Sequence, residues 1–193
     1  SALREDDLFL PQDAYGLSKC GAELALHEIA AATGMEVTVV RPPLVYGPRV
    51  KGNLDRLMGL VSSGVPLPFV GLRNRRSFVS VDHLSVLLAL CLDHPAAANQ
   101  AFLAADATSL STPELLTFLA EGLGVPLRQF SLPVSVLRLA ARVLGRQDEA
   151  LRLMGSLEVS AGKARTMLGW QPATSSEEGI INMARMYAAQ KRG

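Results

Sequence analysis

Tyr15 and Lys19 stand four residues apart in the stretch "DAYGLSK". On a helix, residues i and i+4 share one face, so both side chains would point to one spot. A phenol has a reference pKa of about 10, too high for an efficient base near neutrality. An ammonium beside it favours the phenolate. The lysine also brings three donors, enough to hold a ribose hydroxyl while polarising the phenol. The chemistry this suits is proton transfer at a carbinol while hydride leaves its carbon. The spacing alone fits a second reading more readily, an exposed tyrosine beside a solvated lysine, because such pairs occur by chance in many proteins.

The elements that must position the pair alternate between helix and strand. After Asp13, a cap residue, "AYGLSKCGAELALHEIAAAT" predicts a long helix that stops at Gly34. "EVTVV" is a β-branched run and predicts a buried strand. "RPPLVYGP", with three prolines, predicts a loop. "NLDRLMGLVSSG" predicts a helix ending at Gly64, "SFVSV" a strand, "DHLSVLLALCLDH" a helix with Asp82 near its start, and "QAFLA" a strand. "STPELLTFLAEGLG" carries a cap, Pro113 in its first turn and a closing glycine. Amphipathic helices are expected in "PVSVLRLAARVLG", "SAGKARTMLG" and "SSEEGIINMARMYAAQ", the last with Ser175 and Glu178 spaced as a capping box. Strands alternating with helices predict an α/β fold with a parallel component.

Composition sets the outer limits. The 193 residues are 49% hydrophobic and 19% charged, enough for a packed core of one domain or a little more. The net charge of +1 gives no general argument for nucleic acid or a membrane surface as partner. No apolar run reaches the roughly 18 to 20 residues of a membrane helix, and "SALREDDLFL" lacks the order of a signal peptide. Cys20 and Cys91 are far apart, which predicts a reduced, cytoplasmic protein with two buried thiols. His27, His83 and His94 show no metal-ligand spacing, so no metal is expected. His83 reads as a neighbour of a helix cap, Trp170 as a packing anchor, and the methionines of "NMARMY" as core.

Four segments, in order, resemble the extended short-chain dehydrogenase/reductase family, the nucleotide-sugar epimerases and dehydratases. They are Tyr15-Gly-Leu-Ser-Lys19 with its apolar helix, Arg41-Pro42 followed by Val45-Tyr46-Gly47-Pro48, "RRSFVSVDHL", and "KARTMLGWQP". Together they span nearly the whole chain. The resemblance implies that Tyr15 and Lys19 are the catalytic pair and also hold the nicotinamide cofactor, NAD or NADP. It implies the carboxyl-terminal part of a Rossmann-like parallel sheet plus a smaller mixed α/β substrate-binding domain. Residues 1–50 would then be the residual dinucleotide-binding part, and 51–193 the nucleotide-sugar region, with some segments returning to the sheet.

The same resemblance supplies the remaining candidates. Pro42 to Val45 would pass the nicotinamide ring, which names Pro42, Leu44 and Val45 as cofactor neighbours. Many relatives carry asparagine where Leu44 stands, so the epimerase's substrate contacts do not transfer simply. Asn53 and the amide of Leu54 would face the diphosphate, and Asn53 also reads as a helix N-cap. Pro68 and Phe69 would pack on uracil, while Phe69 alone reads equally as core. Arg76 is the candidate phosphate ligand, because a guanidinium fork matches phosphate oxygens. Arg73 and Arg75 beside it read as solvated loop. Arg152 is a second phosphate candidate.

In this family the Tyr-Lys helix follows a dinucleotide-binding half with a glycine-rich turn. No glycine here forms that fingerprint. The chain thus resembles a carboxyl-terminal half, expected to be inactive alone and to self-associate, as a homodimer or otherwise. Two enzymatic readings follow for the parent. One is a UDP-hexose 4-epimerase. The other is an NAD(P)-dependent 4-ketoreductase or dehydratase-type enzyme of deoxy amino sugar and surface polysaccharide synthesis. A third reading, from another class, makes the isolated chain a non-catalytic association module.

Overall fold

The computed structural model describes residues 2–8, 13–143, 145 and 153–192. Its first helix, α1 (Ala14–Thr33), starts where the Asp13 carboxylate accepts the Gly16 amide at 2.7 Å. It ends at Gly34, whose φ of 74° suits a residue without a Cβ. Four short strands follow in two parallel pairs. β1 (Val39–Arg41) pairs with β4 (Ala101–Leu103), and β2 (Leu44–Tyr46) pairs with β3 (Phe78–Ser80). Between them run α2 (Asn53–Ser62) and α3 (Val81–Asp93). After β4 come α4 (Thr112–Leu123), α5 (Val134–Val143), α6 (Gly162–Leu168) and α7 (Ser176–Arg192).

β3 sorts the core in two. Successive residues on a strand point to opposite faces. Phe78 joins a cluster with Tyr46, Met58, Leu116, Leu119 and Ile180. Val79 joins another with Leu87, Phe102, Leu168 and Trp170. α2 enters the first cluster through Leu54, Leu57, Met58 and Val61, the spacing of one helical face. α4 lies along α7, and Gly122 makes the approach possible. A Cβ there would meet the Ile181 carbonyl and come within 2.6 Å of the Ala184 Cβ. The α4 start has the reciprocal cap expected of its sequence: the Ser111 hydroxyl accepts the Glu114 amide and the Glu114 carboxylate accepts the Ser111 amide.

Several expectations need correction. The "EVTVV" strand starts later, at Val39, and is half-buried, because only one of its edges has a strand partner among the described residues. "RPPLVYGP" is not all loop. Its three prolines flank Leu44–Tyr46, leaving those residues free to pair with β3. The two cysteines are free and half-buried rather than buried, and burial pushes the Cys91 thiol up. Met183 is core, but Met186 lies off the buried stripe of α7 and is exposed.

Candidate active site

α1 presents Tyr15 and Lys19 on one exposed face. Tyr15 is 71% exposed, and the Lys19 Nζ lies 5.6 Å from its ring centroid. One turn further, Glu23 is the buried residue of this helix. Arg41, the last residue of β1, grips it with a fork. Arg41 Nε donates to Glu23 Oε2 at 3.1 Å, and Nη2 donates to Oε1. The third limb reaches the amino-terminal segment, where Arg41 Nη1 donates to the Glu5 carbonyl at 2.9 Å. The Glu5 carboxylate in turn accepts the Leu103 amide of β4 at 2.9 Å. A bidentate guanidinium-carboxylate pair fixes orientation as well as distance. Glu23, about two turns beyond Tyr15, is therefore held against the end of β1, immediately before Pro42, while Tyr15 and Lys19 stay exposed.

Pro42 is exposed, whereas Leu44 and Val45 are half-buried strand residues. Asn53 is exposed as the first residue of α2, and it does not cap that helix. The cap position belongs to Gly52, at φ 76°, without a side-chain bond. The Leu54 side chain is core, so only its main-chain amide could meet a ligand. First-turn amides of a helix have no partner within it.

Phe69 and Arg76 attach to other segments. Phe69 is half-buried against the first cluster and bridges Ser131. Arg76 extends β3 backwards, its backbone bridging Leu110 and Leu157, and its Nη1 donates to the Gly155 carbonyl at 3.3 Å. Burial lowers its guanidinium pKa from the usual range. Arg75 is engaged by Glu114 at 3.1 Å and by Ser109, and Arg73 is exposed. Arg152 lies outside the described residues.

Residues 2–105 match the NAD-dependent epimerase/dehydratase family, more than half of the chain. The chain belongs to that family. One curated relative, a UDP-glucose 4-epimerase of Vibrio cholerae, is 41% identical over 185 residues, covering 95% of this chain and 56% of its own length. The fold is similar to a UDP-glucose 4-epimerase of Thermotoga maritima solved with UDP-glucose, with a TM-score of 0.76 at 21% identity over 98% of this chain and 58% of that one. It is also similar to a UDP-glucuronic acid 4-epimerase of Bacillus cereus in complex with NAD, with a TM-score of 0.75 at 18% identity over 100% and 57%. The architecture is thus the Rossmann-like α/β fold of this family. The chain spans about half the length of the curated relatives it matches.

Elsewhere in the fold, this family member carries a buried polar chain that the sequence did not suggest. Tyr46 donates its hydroxyl to Asp106 Oδ2 at 2.7 Å, and His83 Nδ1 lies 2.7 Å from Asp106 Oδ1. The Thr174 amide donates to His83 Nε2 at 3.4 Å, which leaves the ring proton on Nδ1, directed at Asp106. Burial first, then the bond to Asp106, pushes the Tyr46 phenol far above its ordinary range, so it stays protonated and acts as a donor. His83 does follow the Ser80 cap, as read. Its ring, however, links α3 to Asp106 and to the segment before α7, and the Trp170 indole closes the corner on the His83 carbonyl at 3.1 Å. Tyr46 and Asp106 are 60 residues apart, so no local pattern announces them.

Proposed function

We propose that this chain is the carboxyl-terminal half of an NAD(P)-dependent nucleotide-sugar epimerase acting at C4 of a UDP-hexose. The observation that carries this reading is the Tyr15–Lys19 pair, open on one face of α1 and clamped to the end of β1 through Glu23 and Arg41. The similarity to a UDP-glucose 4-epimerase supports the substrate class. A phenol beside an ammonium is a donor set that fits a ribose and a carbinol at once.

When bound, the nicotinamide supplies the chemistry of accepting the C4 hydride and returning it to the opposite face of the sugar. The chain's own residues handle the proton and the alignment. Tyr15 takes the O4 proton as the C4–H bond breaks and gives it back when that bond re-forms. Lys19, with three donors, holds the ribose hydroxyls. Leu44 and Val45 place an apolar wall beside the ring. Arg76 and the first-turn amides of α2 at Asn53 and Leu54 meet the diphosphate, and Phe69 packs on the base. Residues 1–50 serve the cofactor half and 51–193 the nucleotide sugar.

The test is incubation of this chain, joined to its dinucleotide-binding half, with UDP-glucose and no added cofactor. The 4-epimer, UDP-galactose, is the expected product. A requirement for added NAD(P)H and a keto sugar would support the ketoreductase reading instead, which the Leu44 substitution favours.

A further inference from the structure

α5 is a helix in three stripes. Val134, Leu137 and Ala141 are half-buried and face the protein. Val136, Leu139, Ala140 and Val143 form a second apolar stripe at the spacing i, i+3, i+4, i+7, and it faces outward. Val136 is 46%, Leu139 63% and Val143 78% exposed. Between the two stripes run Arg138 and Arg142, one turn apart. Neither arginine forms an ion pair among the described residues.

The surrounding sequence keeps one sign. From Glu121 to Asp148 no acidic residue intervenes, while Arg128, Arg138, Arg142 and Arg146 do. A net charge of +1 for the whole chain averages this segment away. No described helix is long and apolar enough to cross a membrane. A bare aliphatic stripe flanked by arginines, on a helix lying along the surface, is the pattern of a helix that rests in the headgroup region. We infer that α5 docks this protein peripherally on an anionic phospholipid surface, with Leu139 and Val143 entering the acyl boundary and Arg138 and Arg142 meeting the lipid phosphates. A second copy fits less well, because a two-fold contact on this stripe would bring the arginines of both copies together. Nucleic acid would use the arginines and leave the aliphatic stripe in water. This inference does not depend on the catalytic reading.

The experiment is co-sedimentation of the chain with vesicles of phosphatidylcholine alone or with about one third phosphatidylglycerol, at low salt. Wild type should pellet with the anionic vesicles and stay soluble with the neutral ones. Arg138→Gln/Arg142→Gln should lower the partition coefficient roughly thirty-fold, about five-fold per arginine. Arg138→Lys/Arg142→Lys should retain it. Leu139→Asp/Val143→Asp should abolish it with an unchanged melting temperature, since both positions are exposed. Arg185→Gln, on α7, should bind as wild type. Failure of wild type to pellet with anionic vesicles overturns the inference, as does equal pelleting with neutral ones. So does a loss with Arg185→Gln as large as with the α5 pair. Conversion of a dimer to a monomer by Leu139→Asp/Val143→Asp, without vesicle binding by wild type, would assign the stripe to a second copy and overturn it as well. Retention on nucleic acid through the α5 arginines, again without vesicle binding, would equally do so.

Discussion

α4 and α1 are both rich in leucine and alanine, yet they use these residues differently. α4 buries seven of its twelve residues, chiefly against α7 and α2. α1 is twenty residues long and buries only Glu23. Leu17 and Leu24 on α1 are exposed, with no layer over them among the described residues. The difference shows that an apolar helix is not yet a core helix. α4 is fixed by close packing, to the point of needing a glycine at its contact. Among the described residues, α1 is held chiefly by the Glu23–Arg41 ion pair and its N-cap. In the proposed reading its apolar face belongs to the sheet and cofactor half that the longer relatives contain. Its polar clamp sets the angle at which Tyr15 and Lys19 are presented.

The largest effect should come from the α4–α7 contact. Gly122→Ala forces a Cβ into the Ile181 backbone, and backbone cannot yield as a flexible side-chain tip does. The better helix propensity of alanine recovers only about 1 kcal/mol. A net loss of about 3 kcal/mol is expected, a fall in melting temperature of roughly 6 to 12 °C. Leu24→Ala on α1 should cost no more than about 0.5 kcal/mol. Equal shifts for the two variants, measured by thermal denaturation, would erase the contrast between the helices.

Glu23→Gln sharpens the comparison from the other side. It replaces the carboxylate that Arg41 grips with a neutral amide, at a cost of about 1 to 3 kcal/mol. The loss should be concentrated in α1. Hydrogen exchange read by mass spectrometry should show faster exchange across residues 14–33 and unchanged protection in α4. Uniform acceleration would mean that the clamp serves the whole fold.

A smaller effect than that of Gly122→Ala is expected at the start of α4. Ser111→Ala should cost about 1 kcal/mol, a typical cap. The Ser111 amide, above all, holds the Glu114 carboxyl below its ordinary range, with Arg75 adding to the effect. Its folded-state pKa is thus depressed, so its contribution is complete at neutral pH. That contribution fades as the pH falls below the ordinary carboxylate range and is gone once the folded group protonates. Because Glu114 is largely solvated, the change is small. Denaturant titrations of wild type and Glu114→Gln should converge at acid pH, and a gap that widens there would contradict the assignment.

Local signals were the legible part of this fold. Asp13, Ser111, Gly34 and Gly124 mark helix ends by chemistry contained within one turn, and each stands where its residue type predicts. β2 was hidden because the prolines around Leu44–Tyr46 dominate the reading of so short a strand. The burial of "EVTVV" was overestimated because β-branching reports strand preference, not what covers the strand. The shared helix face of Tyr15 and Lys19 was legible because their spacing is a helical one. Glu23–Arg41 and Tyr46–Asp106–His83 were not, because each pair joins segments that meet only after folding. Asn53 was misread as a cap because its residue type suits that role, but Gly52 takes the turn that its positive φ allows.

The central claim is that Tyr15 performs the proton transfer while the nucleotide sugar is bound elsewhere. Tyr15→Phe, made in this chain joined to its dinucleotide-binding half, removes one hydroxyl from an exposed position and should leave the fold intact. Turnover of UDP-glucose should fall by a factor on the order of 100 to 10,000, the range of a general base. UDP affinity by calorimetry should stay unchanged, because the phenol touches the reacting carbinol and not the diphosphate. Turnover equal to wild type in the folded variant would contradict that claim.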